Sequence, residues 1–147
     1  MSMEKFYTRK KSNDGIKLPL PLPDGSPSGE HLIILGKYSD TFRINEADMK
    51  RRAVETVSKY PNDKKKRDEA MLKLEVEFLG TLVTGWSFEQ EFNKKNIEMF
   101  LSEAPQIRDL VDKSIANNAL FFGESSTDSS STVGKTSNST ECQKGQK

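Results

Sequence analysis

Met71-Leu72-Lys73-Leu74-Glu75-Val76-Glu77-Phe78-Leu79-Gly80-Thr81-Leu82-Val83 is the stretch whose reading decides the fold. Met71, Leu74, Phe78, Leu79 and Leu82 recur at helical spacing, which predicts an amphipathic helix. Leu72, Val76 and Val83 widen the stripe beyond one face, so the helix is expected to be central and touched on two sides. Asn62 or Asp63 supplies the cap at its start, and Gly85 is expected to stop it.

Outward from this helix the helical period continues in both directions. Upstream, Met49, Ala53, Val57 and Tyr60 fall four, four and three residues apart, and Pro61 ends the segment. Downstream, a loop over residues 86–92 leads to a short helix containing Ile97, Phe100 and Leu101. Pro105 suits the first turn of a last helix. Ile107, Val111, Ile115 and Ala119 share its face, Leu110 lies beside it, and Gly123 closes the ordered part.

Nearer the N-terminus the period changes to two. Ile16, Leu18, Leu20 and Leu22 alternate with Lys17, Pro19 and Pro21. Two prolines remove backbone donors, so this is an edge strand or an extended arm. Pro23-Asp24-Gly25-Ser26 is a turn, and Leu32-Ile33-Ile34-Leu35 a short buried strand ending at Gly36. A hairpin of residues 16–22 with 31–35 follows. The expected class is α+β, mostly helical: a short N-terminal β-hairpin, then about four helices. Residues 1–12 are expected as a flexible N-terminus. Residues 13–122 make one domain, with strands and turns over 13–44 and helices over 45–122. Residues 123–147 form a disordered tail.

The tail explains the composition. Hydrophobic residues are 33% of the 147, below the usual ~45–50%. Of the 24 residues from 124 to 147, 11 are Ser or Thr, and only Val133 and Cys142 are apolar. Such a segment buries too little surface to offset chain entropy. Basic and acidic residues number 23 and 22, for a net charge of +1, which excludes a uniformly basic nucleic-acid coater. One cysteine excludes a disulfide framework, and one histidine leaves no pair for a metal. No apolar run has the length of a signal peptide or a membrane span.

The sequence carries no recognisable catalytic constellation. His31 has Glu30 beside it but no nucleophile motif, and reads as a solvated histidine. Gly134-Lys135-Thr136 lacks the upstream glycine of a phosphate loop, since Ser129 holds that position. The acidic pairs Glu75 with Glu77 and Glu89 with Glu91 have no third ligand type near them. No enzyme, cofactor or metal site is expected. Residues 50–67 hold eight basic side chains (Lys50, Arg51, Arg52, Lys59, Lys64, Lys65, Lys66, Arg67) against Glu55 and Asp63. That excess suits phosphates or an acidic protein, but no aromatic residues interleave for base stacking. A solvated face is the simpler reading.

The order of segments is more specific. Gly36-Lys37-Tyr38-Ser39-Asp40-Thr41-Phe42-Arg43 precedes a basic helix, and Leu82-Val83-Thr84-Gly85-Trp86 follows the central one. Asn96-Ile97, Phe100-Leu101 and Pro105-Gln106-Ile107 come next, and Ile115, Asn118, Phe121 and Phe122 end the series. Over residues 15–122 this resembles the tail assembly chaperones of long-tailed double-stranded DNA bacteriophages. The resemblance implies a non-enzymatic protein of the host cytoplasm that binds the aggregation-prone tape measure protein and keeps it soluble. It also implies help in recruiting major tail protein, absence from the mature virion, and in many members a second, longer frameshifted form. The proline-rich segment at 18–23 departs from the purely helical members. For such a role the broad stripe of the central helix, with the C-terminal aromatics, is expected to line a client groove. Phe78, Leu82, Trp86, Phe121 and Phe122 are the expected contact set, with self-association through the same surface also open. Two other readings stay open: a structural tail or head–tail completion protein, and a small nucleic-acid-binding protein using residues 50–67.

Overall fold

The hairpin forms as its alternation requires. In a computed structural model, which describes residues 1–123, β1 (Ile16–Pro21) pairs antiparallel with β2 (Pro27–Ile34). The register sets Ile16 opposite Ile34 and Leu18 opposite Leu32, and it shifts between Pro19 and Pro21. Leu18, Leu20, Leu32 and Ile34 are buried, whereas Pro19 and Pro21 face outward on the edge. At the turn the Leu22 N–H donates to the Ser26 carbonyl at 2.8 Å, and the Asp24 carboxylate accepts from the Ser26 N–H and hydroxyl. Gly25 takes φ 92°, a conformation that β-carbons disfavour. His31 lies on β2, half-buried, its N–H donating to the Ser87 hydroxyl.

Three boundaries differ from the sequence reading. The stretch 1–12 contains a 3-10 turn (Met3–Phe6) and the start of a helix, α1 (Arg9–Asp14). Its large apolar residues, Met1, Met3, Phe6 and Tyr7, are exposed, and tertiary contacts tie its end to the domain: Ser12 is fully buried, and Arg9 pairs with Asp40, as does the neighbouring Asn13. The first long helix, α2 (Asp40–Lys59), begins at residue 40, inside the stretch 13–44 assigned to strands and turns. Ser39 is its cap, accepting from the Phe42 N–H at 3.1 Å. The central helix, α3 (Lys64–Thr81), is capped by Asp63 but ends four residues before Gly85. Val83–Trp86 then forms β3, antiparallel to β2, inside the stretch assigned to helices alone. The sheet order is β1-β2-β3, so the predicted hairpin is part of a three-stranded sheet.

The remaining helices are α4 (Lys94–Glu103), capped by Asn93, α5 (Pro105–Ile115) with proline in its first turn, and α6 (Asn118–Phe122). The last predicted helix is thus split. The Asn117 side chain accepts from the Ala119 N–H at 3.0 Å, offering the backbone an alternative to continued helix. Ala119 is consequently exposed rather than on the Ile107–Val111–Ile115 face. One core joins the sheet to α3, α4, α5 and α6 through Leu32, Ile34, Leu79, Leu82, Leu101, Val111 and Phe121, among others. The architecture is α+β and mostly helical. The predicted tail, with Cys142, lies outside the described residues apart from Gly123, which caps α6.

Candidate functional site

α2 runs for 20 residues and buries none of them. It packs along α3, and its N-terminal end also meets α1. Phe42 meets Phe78 edge-on with ring centroids 5.2 Å apart, an arrangement worth about 0.5–1.5 kcal/mol beyond area burial. Arg52 pairs with Glu77 at 2.9 Å, and Arg67 donates to the carbonyls of Tyr60 and Pro61. At its N-terminus α2 is held more firmly. The Arg9 guanidinium donates twice, at 2.8 Å, to the Asp40 carboxylate, and the Asn13 side chain accepts from the Asp40 N–H. The Arg9 hydrogen bond is the main reason that carboxyl lies below its ordinary range.

Because α2 stands off α3, the seam between them opens into a trough of about 610 Å³. Phe42, Met49 and Ala53 of α2 line one side. Met71, Leu72, Leu74, Phe78 and Leu79 of α3 supply much of the rest, and Ile115 and Ala116 close the end beside α5. Met71 and Leu72 are exposed, Leu72 at 46%. Exposed, adjoining apolar side chains of this size mark a contact surface more often than an isolated leucine does.

A second, smaller depression of about 360 Å³ lies elsewhere, lined by Trp86, Phe88, Met99 and Phe100 with Gln90, Asn96 and Glu103. Trp86 stands edge-on to Phe88 and Phe92 at 5.2 Å and to Phe100 at 6.1 Å. Its indole N–H donates to the Gln90 carbonyl at 2.9 Å. The four rings hold the 87–92 loop against α4.

The five residues expected to make one groove are therefore dispersed. Phe78 alone lines the main trough. Leu82 is completely buried and Phe121 nearly so, both inside the core. Trp86 belongs to the aromatic cluster, and Phe122, half-buried, packs on Tyr38 with centroids 6.5 Å apart. The expected contact set left out Met49, Met71 and Leu72, although the stripe that holds the last two was expected to line the groove. The available signal was the over-wide stripe: Val76 and Val83 go to the core, and Leu72 is left outside.

Half of the basic cluster is spent on ion pairs with nearby acids. Arg51 pairs with Asp48 and Glu55, Arg52 with Glu77 and Asp48, Lys64 with Asp68 at 2.7 Å, and Lys50 with Glu46 at 3.8 Å. Among the described residues no three His, Cys, Asp or Glu side chains converge as a metal site needs, and no helix is long and apolar enough to cross a membrane.

A family model described as phage tail assembly chaperone matches residues 1–114. The chain belongs to that family. No curated protein and no solved structure matches it. The part matching the tail assembly chaperones takes in α1 to α4, the whole sheet and nearly all of α5, hence almost the entire trough. α6, with Phe121 and Phe122, lies beyond it.

Proposed function

We propose that this tail assembly chaperone binds the tape measure protein through the α2–α3 trough, keeps it soluble, and promotes assembly of the tail tube with major tail protein. The observation that carries the reading is a 20-residue helix with no fully buried residue, facing an apolar trough in a chaperone of this family. A holdase needs apolar surface that is accessible before the client arrives, together with a charged exterior that keeps the complex in solution. The trough supplies the first, and the ion-paired outer faces of α2 and α3 supply the second. The protein acts in the host cytoplasm without chemistry of its own, and leaves before the virion is complete.

Co-expression with the tape measure protein of the same phage tests this. The expected result is a rise in the client's soluble fraction, a complex that survives raised salt, and no chaperone in purified particles. No rescue of solubility, with the protein found in particles, would point instead to a structural tail component.

A further inference from the structure

The rim of the trough is as informative as its lining. Its charged residues are Glu46, Asp68, Glu75 and Asp112 against a single base, Lys37. Lys37 is already engaged, its Nζ lying 5.2 Å from the centre of the Tyr38 ring. Lys64 neutralises Asp68, and Lys50 approaches Glu46. Glu75 on α3 and Asp112 on α5 meet no cation within ion-pair distance among the described residues. An apolar trough with unmatched carboxylates on its edge complements a partner whose apolar stripe is bordered by positive charge.

The dimensions indicate what form that partner takes. The lining residues on α3 run from Asp68 to Leu79, which at 1.5 Å per residue is about 16 Å, or roughly three helical turns. Met49 and Met71 stand on α2 and α3, and their unbranched thioethers adapt to varied apolar shapes. A second copy of this chain fits poorly. The outer face of α2 offers Ile44 and Val54, but the charges beside them, Arg43 and Arg51 against Asp48 and Glu55, balance. That face brings no excess of positive charge to match the acidic rim.

We propose that the trough seats an amphipathic helix of about three turns, with lysine or arginine flanking its apolar stripe, supplied by the client chain. This rests on the chaperone reading above and gives the client segment its chemistry. Binding pairs the flanking cations with Glu75 and Asp112 while the stripe covers Met71 and Leu72.

The test uses two labelled synthetic peptides of about 14 residues, roughly four turns, titrated against the full chain by fluorescence anisotropy. Both carry the same leucine stripe on an alanine-rich helix; one has lysine flanks and the other glutamate flanks. The lysine peptide is expected to bind about tenfold more tightly, with the difference shrinking as salt screens the rim. Glu75→Lys with Asp112→Lys should reverse the order, and Leu72→Asn, with unchanged circular dichroism, should weaken both peptides. Equal affinities, or an order indifferent to the double reversal, would overturn the proposal. A chain that is dimeric and becomes monomeric on Leu72→Asn, without taking up either peptide, would assign the trough to a second copy and overturn it too. If neither peptide binds while the client is still solubilised, the helix proposal fails and the chaperone reading stands. Selective lysine-peptide binding without client rescue supports the surface and sinks the function assigned to it.

Discussion

The same chemical deletion at two leucines, ten residues apart, should have opposite consequences. Leu82, just past α3, is completely buried, whereas Leu72 on α3 is 46% exposed at the trough. Leu82→Ala removes core volume that cannot fully collapse, a cost of about 2–5 kcal/mol. For a domain of this size each kcal/mol moves the melting temperature by about 3–5 °C, so a fall on the order of 10 °C is expected. Leu72→Ala removes a side chain only half covered by its own protein, with a stability cost of at most about 1 kcal/mol. Its exposed half is what a client covers. Full burial of a leucine contributes about 1.5–3 kcal/mol, so covering the remaining half contributes about 1 kcal/mol, or roughly fivefold in affinity. Thermal unfolding by circular dichroism and titration with the purified client, run on both variants, give the two readouts. Leu82→Ala should lose stability and, where still folded, keep its affinity; Leu72→Ala should do the reverse. Equal affinity losses in both, or none in Leu72→Ala, would refute the placement of the client in the trough.

Other outcomes follow from contacts at the N-terminal end. Among the described residues the buried Ser12 hydroxyl has no hydrogen-bond partner, so Ser12→Ala should be neutral or stabilise by up to about 1 kcal/mol in urea titration. Gly36→Ala would set a methyl 2.8 Å from that hydroxyl and 3.1 Å from the Phe121 ring, so it should cost about 1–3 kcal/mol, less when combined with Ser12→Ala. Asp40 has its carboxyl held below the ordinary range mainly by Arg9, so its contribution is complete above about pH 4, the unfolded carboxylate range. It is lost as pH falls through the lowered value. Limited proteolysis with an acid-active protease should accordingly find residues 1–14 more open in strong acid, and Arg9→Ala should open them at neutral pH. Trp86→Phe forfeits the hydrogen bond to the Gln90 carbonyl and should raise hydrogen exchange in residues 87–92 without altering client affinity.

Much of the fold is legible because local and tertiary preferences agree. The alternation around Pro19 and Pro21 forms β1 as an edge, Asp63 and Asn93 cap the helices they precede, and Pro105 opens α5. What was illegible depends on partners distant in sequence. Val83–Trp86 continues an apolar helical stripe, and only pairing with Leu32, Ile33 and Ile34 makes it a strand. α1 has no apolar period and is ordered by Asp40, Ser12 and Gly36. The site was harder for a related reason. Periodicity identifies apolar side chains but not which of them another element covers. Leu82 and Phe121 were therefore expected at a surface and lie in the core, and Leu72, one position along the same helix from Met71, faces the trough. The placement of Glu75 and Asp112, from two helices, at one trough has no sequence signature at all.

The most direct measurement is photo-crosslinking during co-expression with the tape measure protein, with a benzophenone amino acid installed at position 72 in one variant and at position 54 in another. Val54 is exposed on α2 and does not line the trough, so it serves as the control for chance proximity. Covalent capture of the tape measure protein from position 72 and not from position 54 is expected. Capture from position 54 alone, or from neither while the client remains soluble, would contradict the trough as the client's seat.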